Sequence, residues 1–208
     1  DTAHLHSWRG DKIVPILSGA SLAGALRSRA LRIAKTFGDS AVTNELITDL
    51  FGPDKQNENP KASRLIVEEK EIINPSEMVV NRVRIDRFTG GAYRSALFDE
   101  SPIFGLNETQ VQIDLMVQNP KDEDVGLLLL LLKDLWTGDL PLGGETGIGR
   151  GRLKGLEARL TGKNNGLFEK EWLLKRSTDD RLIIEGNSQD LLEAYVQSFI
   201  REVSRIDN

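Results

Sequence analysis

The chain has 208 residues, 39% hydrophobic and 28% charged, with a net charge of −5. That balance fits one elaborated soluble globular domain, or one domain with an appendage, and argues against an indiscriminate polyanion binder. With no cysteine and two histidines, disulfides, zinc–thiolate sites and histidine-rich metal sites are excluded. The apolar run Leu127–Leu132 is too short to span a bilayer. No signal peptide is visible, so a cytoplasmic location and no membrane partner are expected. The chain begins at Asp1 rather than Met, and residues upstream of it are expected.

Residues 1–18 read as irregular, broken at Gly10, Asp11 and Pro15. A helix follows, with Ser21 as N-cap and Ser18 as the alternative. Leu22, Leu26, Ile33 and Phe37 recur in it at helical spacing, and Gly38 is placed to end it. Asn44–Phe51 reads as a short second helix, 52–62 as a polar loop, and Arg64–Glu69 as a weakly alternating strand. A long insertion runs through Phe104, after which Val111–Val117 alternates as a half-buried strand. Asp124 is placed to cap a helix through Trp136, whose six consecutive leucines leave no polar face and predict cover on most sides. Leu153–Leu160 reads as a strand, and Trp172–Leu174 and Arg181–Glu185 as short strands. A last helix starts at Asn187 or Ser188, with Leu191, Leu192, Tyr195, Val196, Phe199 and Val203 on one side. This order is an α+β, ferredoxin-like (RRM-like) βαββαβ core lacking only its first strand, which would precede Asp1. The expected division is a domain over 1–160, with the insertion at about 71–109, and a C-terminal helical extension over 161–208.

The segment Leu140–Gly155, LPLGGETGIGRGRLKG, is the most informative. Its six glycines let backbones turn and approach closely, and successive exposed N–H groups form an anion-binding concavity. Arg150, Arg152 and Lys154 make phosphate the expected anion. No Gly-Lys-Ser/Thr follows, so it is not a P-loop, and the strand-like continuation makes it a poor dinucleotide fingerprint. Charge is segregated as well. Residues 1–35 hold six cations against two acids, 78–97 hold four arginines against Asp86, and 98–139 hold nine acids against two lysines. That pattern predicts one cationic and one acidic face.

Four segments in order carry a resemblance: Ile16–Arg29 (ILSGASLAGALRSR), Leu65 with its strand, Val83–Phe98 (VRIDRFTGGAYRSALF) and Leu142–Gly155. Together they resemble the RAMP superfamily of CRISPR effector proteins and, more narrowly, the repeating backbone subunit of type III effector complexes. The family pattern near the first helix, Pro-Gly-Ser-Ser-Leu-Lys-Gly-x-x-Arg, is departed from at Ser18, Ala20 and Ala23. The resemblance implies an antiviral-defence ribonucleoprotein whose partners are crRNA, target RNA, neighbouring RAMP subunits and other CRISPR effector proteins. It makes the insertion a thumb-like β-hairpin crossing the guide–target duplex, in which Arg84, Arg87, Phe88, Tyr93 and Arg94 mix cations with aromatics around Gly90-Gly91; aromatic rings stack on bases of any identity. Phe98 is expected to pack at the hairpin base.

Helix N-termini bind phosphate, so Gly19, Ser21 and Gly24 offer a second backbone site. Arg27 and Arg29 nearby read either as phosphate contacts or as solvent-facing cations. With Gly143, Gly144, Thr146, Gly149, Arg150, Arg152 and Lys154 they make a sequence-independent RNA grip. The resemblance also implies target-RNA cleavage by Asp1, which would hold Mg2+ or another divalent cation, with Asp11 as second candidate. Two alternatives stay open: a catalytically inactive structural RAMP subunit, and a stand-alone crRNA-processing endoribonuclease using His4 or His6.

Overall fold

A computed structural model of the chain describes residues 2–38, 41–53, 61–164 and 167–205. The chain begins with β1 (Thr2–Ala3), β2 (His6–Arg9) and β3 (Lys12–Leu17), then α1 (Gly19–Phe37), α2 (Ala41–Phe51) and β4 (Leu65–Val67). Next come β5 (Lys70–Ile73), β6 (Ser76–Glu77), β7 (Val80–Ile85), β8 (Ala92–Ser101), β9 (Ile103–Phe104), β10 (Gln110–Val111) and β11 (Leu115–Val117). The remainder is α3 (Asp122–Thr137), β12 (Glu157–Asn164), β13 (Leu167–Arg176), β14 (Leu182–Gly186) and α4 (Gln189–Val203). The expected α+β class holds: helices alternate with short, mainly antiparallel strand sets consistent with an RRM-like fold. The chain divides into two compact units, residues 1–20 with 67–115 and residues 21–66 with 116–208.

In the first unit β10, β5, β3 and β2 lie in that order in one sheet, and β1, β8 and β7 in another. The expectation of irregular chain before the first helix is corrected here. Gly10-Asp11 is the turn of a hairpin that pairs Trp8 with Ile13 and Arg9 with Lys12. Gly10 takes φ +59°, a conformation glycine adopts without steric cost. Gly10 and Asp11, read as breakers, are therefore hairpin punctuation, Pro15 lies within β3 opposite His6, and β3 leads directly into the first helix.

In the second unit α1 buries Leu22, Leu26, Ala30 and Ala34, a strict every-fourth-residue seam. Ile33 and Phe37, expected on that seam, flank it instead. The small alanines let neighbours close on the helix where the larger residues would hold them off. Leu127 and Leu131 of α3 are buried, with Leu128, Leu129, Leu130 and Leu132 partly so, matching the expected cover. Gly126 explains how α3 meets α4: a Cβ there would lie 2.1 Å from the Tyr195 carbonyl oxygen. Trp172, Leu174, Leu192 and Tyr195 form the core against α3 and the β12–β13–β14 sheet. Each such side chain contributes roughly 1.5–3 kcal/mol when fully buried. α4 begins after the N-cap Ser188, whose hydroxyl accepts from the Asp190 N–H. Its Leu191 faces outward rather than joining the expected side.

Two strands differ from expectation. Val111–Val117 is broken into β10 and β11, because Asp114 turns aside to take Lys70 and Gln112. The strand expected from Leu153 begins only at Glu157, because the Gly155 N–H is donated to the Trp136 carbonyl and is lost to any ladder.

The N-cap position of α3 is Lys121 rather than Asp124, which is the third residue of the helix, in its first turn. Its carboxylate accepts the Lys121 N–H at 2.8 Å and receives Arg64 through both terminal nitrogens at 2.8 and 2.9 Å. Arg64 also meets Asp49 at 2.8 Å. Removing one partner of a buried pair strands the other. Asp124→Ala should therefore destabilise the chain by about 3 kcal/mol in urea unfolding, the lower end for such losses because Asp49 still holds Arg64.

Candidate nucleic-acid interface

The glycine-rich segment folds as a loop closed at its base and open at its tip. The Leu142 N–H donates to the Gly151 carbonyl at 2.9 Å. A Cβ on Gly151 would lie 1.8 Å from the Leu142 oxygen, and its φ is +75°, so only glycine closes this neck. Below it, Gly155 packs on the Trp136 ring. Arg176 stacks over that ring at 5.5 Å while donating to the Gly155 and Trp136 carbonyls at 2.6 and 3.1 Å. At the tip, Gly143, Gly144, Gly147 and Gly149 have nothing within 4 Å of where a Cβ would stand. Thr146 begins a 3-10 turn, with Gly147 and Ile148 exposed beside it. The backbone at these four glycines is open to an approaching group.

The three cations around the loop have different settings. Arg150 meets Glu145 at 2.7 Å, and Lys154 meets Asp180 at 2.8 Å. Arg152 is exposed and makes one long contact, 3.4 Å, to the Gly138 carbonyl. Asp180 also takes Arg176 at 2.9 Å. Hydrogen bonds from Lys154 and then Arg176 hold the Asp180 carboxyl below the usual range.

At the start of α1 the candidates divide. In the first unit a Cβ on Gly19 would lie 2.5 Å from the Val67 carbonyl oxygen, so this glycine serves close packing. In the second unit Ser21 and Gly24 are exposed, and nothing lies within 4 Å of a Cβ at Gly24. Arg27 donates to the Gly52 carbonyl, and Arg29 Nε meets Asp134 at 2.6 Å. Protein acceptors thus hold both arginines that the sequence offered either to phosphate or to solvent. The expected acidic face is also partly internal: Glu100, Asp124 and Asp134 are buried, each against an arginine.

The β7–β8 hairpin presents the remaining candidates. Asp86 accepts the N–H groups of Phe88 and Thr89 at 2.7 and 3.1 Å, which hold its carboxyl below the usual range and fix the turn. Phe88 at that turn is 100% exposed. The Arg84 guanidinium lies 5.1 Å from the centre of the Tyr93 ring, a cation–π pair that orients both groups. Arg87 and Arg94 are exposed. Phe98, expected in the base, retains 39% exposure.

Asp1 lies outside the described residues. Asp11 sits exposed in the β2–β3 turn. His4 Nε2 bonds the Ile16 carbonyl, and burial depresses its pKa. His6 is hydrogen-bonded to Glu77 and to the His4 carbonyl. Donating to both acceptors requires the imidazolium, and its pKa is raised accordingly. No three His, Asp or Glu side chains gather as a metal site among the described residues.

Sequence reasoning missed Trp136 and Arg176, which make the loop's base, Glu145 and Asp180, which pair with its cations, and Asp134, which takes Arg29. Asp134 shows why: its partner Arg29 is 105 positions away. Burial pushes the Asp134 carboxyl up, but hydrogen bonds from Arg29 and Lys133 outweigh it and hold the pKa below the usual value. A depressed folded-state pKa contributes stability fully above the unfolded value and loses it as pH falls through the folded one. The stability gap between wild type and Asp134→Asn should therefore be constant from neutral pH to about pH 5 and close below about pH 4, read from urea titrations across that range.

No helix among the described residues is long and apolar enough to cross a membrane. No curated protein sequence matches the chain. A sequence model of the RAMP superfamily matches residues 6–154, from the β2–β3 hairpin through Lys154 of the glycine loop. Because that span covers well over half of the 208 residues, the chain belongs to the RAMP superfamily of CRISPR-associated RNA-binding and RNA-processing proteins.

Proposed function

We propose that the chain is a backbone subunit of a type III CRISPR ribonucleoprotein that holds crRNA by its phosphates and cuts target RNA through Asp1. The observation that carries this reading is the loop at 143–154: an open glycine tip above a rigid neck, bordered by Arg150, Arg152 and Lys154. Such a loop contacts phosphodiester oxygens through backbone N–H groups and cations, and it reads no base. A variable guide requires that. Ser21 and Gly24 at the exposed start of α1 are the second phosphate contact, with Gly19 setting the helix entry.

The β7–β8 hairpin is the thumb of this reading. A fully exposed phenylalanine at a fixed turn, beside Arg84 on Tyr93 and exposed Arg87 and Arg94, suits stacking on or wedging between bases. At the splayed nucleotide the 2′-hydroxyl attacks the adjacent phosphorus and the 5′-oxygen leaves with a proton, giving a 2′,3′-cyclic phosphate. A divalent cation held by Asp1 would neutralise phosphate charge. The described residues supply no further acidic or histidine set for it, and no other step is assigned to an ion.

The test uses the crRNA-loaded assembly, complementary RNA and Mg2+. Asp1→Ala should abolish one cut per subunit and leave assembly intact. Uncut target with the wild-type chain would make it a structural subunit, and cleavage lost only in His4→Ala or His6→Ala would make it a processing nuclease. Phe88→Ala should leave the melting temperature unchanged, since the ring buries nothing, and weaken target-duplex binding by about 1–3 kcal/mol in anisotropy titrations.

A further inference from the structure

One acid sits inside the cationic loop. Glu145 lies among glycines that could take any backbone conformation, yet it takes φ +56° itself, a region costly for a residue with a Cβ. Its neighbours Gly143 and Gly149 hold φ +86° and +89°, so a glycine at 145 would satisfy the backbone more easily. What the glutamate adds is its carboxylate, which lies 2.7 Å from Arg150 Nη1. Glu145 and Arg150 remain partly solvent-accessible, at 37% and 23% of their side chains, so the pair is within reach of a competing anion.

We propose that Glu145 is a built-in phosphate surrogate: its carboxylate neutralises and orders Arg150 in the RNA-free chain and yields that guanidinium to an RNA phosphodiester. This rests on the reading that the loop binds RNA phosphates. A carboxylate and a phosphodiester each carry one negative charge and offer oxygen acceptors to the same guanidinium. The exchange therefore keeps Arg150 paired throughout. It also sets a threshold, because an incoming phosphate has to displace a tethered competitor. A lone small anion gains one such contact, whereas an RNA chain gains several at once and overcomes the competition.

Lys154 and Asp180 form a comparable pair, but Asp180 also holds Arg176, so changing it would disturb the loop's base. Glu145→Gln keeps shape and backbone demand.

Counterion release gives a readout that a structural role would not move. When Arg150 exchanges Glu145 for a phosphate, the displaced partner stays on the protein. When Glu145 is neutral, no freed carboxylate takes up the cation that the RNA phosphate gives off, and the Arg150 contact carries the full salt dependence. Binding of the full-length chain to single-stranded RNA of mixed sequence would be measured by anisotropy over a salt series. Glu145→Gln should bind about two- to five-fold tighter at low salt, the scale of an exposed ion pair. Its plot of log affinity against log salt should be steeper by about 0.7. Arg150→Gln should weaken binding, and the double variant should match Arg150→Gln. Equal or weaker binding by Glu145→Gln with an unchanged slope, while Arg150→Gln still weakens binding, would overturn the surrogate and leave the RNA loop standing. If Arg150→Gln and Arg152→Gln both bind RNA like wild type, the loop reading fails and takes the surrogate with it.

Discussion

A glycine-rich segment holds a concave shape only when its ends are pinned, because each glycine otherwise has more backbone freedom than any other residue. Here the pinning is a narrow neck. The bond from Leu142 to Gly151 and the seating of Gly155 on Trp136 leave the residues between them little choice of path. Arg176 completes the closure by lying on the indole while its nitrogens satisfy two carbonyls. Those carbonyls sit at the end of α3 and just past the loop, where helical partners run out. The open tip is thus a consequence of a tightly made base.

Electrostatics in the second unit follow a related division. Arg29 and Arg64 are spent on buried aspartates, and Arg27 on a carbonyl. These contacts tie α1 and the entry to β4 to the neighbouring helices and satisfy groups that would be expensive to bury alone. Arg150 and Lys154 at the loop sit instead in exposed or partly exposed pairs, worth little in water and readily exchanged for another anion. A net charge of −5 is compatible with RNA binding under this division, since acids such as Asp124 and Asp134 are used internally and do not repel a ligand at the surface.

The β7–β8 hairpin sits at the other extreme of packing. Val83, Ile85, Tyr93, Leu97 and Phe88 all keep about half or more of their surface exposed, and a two-stranded ribbon is marginal by itself. Its turn is fixed by Asp86, and its base is widened by β1 lying parallel to β8. So many exposed apolar groups on a shaped ribbon are what the proposed thumb role calls for.

Residue patterns announced the helices, the start of α4 at Asn187 or Ser188, and the glycine loop with its cations, because each is local: helical spacing, hydroxyl caps and glycine clusters act within a few residues, whereas the β7–β8 hairpin is expected from the family resemblance. Gly10-Asp11 was legible too, had it been read as a hairpin turn rather than a break. Tertiary structure alone decided which arginines are structural and which border the loop, since the acids that choose between them come from distant segments. It also decided that Gly19 and Gly126 serve close packing while Gly24 and Gly143 stand open, because a missing side chain looks the same in sequence whether protein or solvent fills the space.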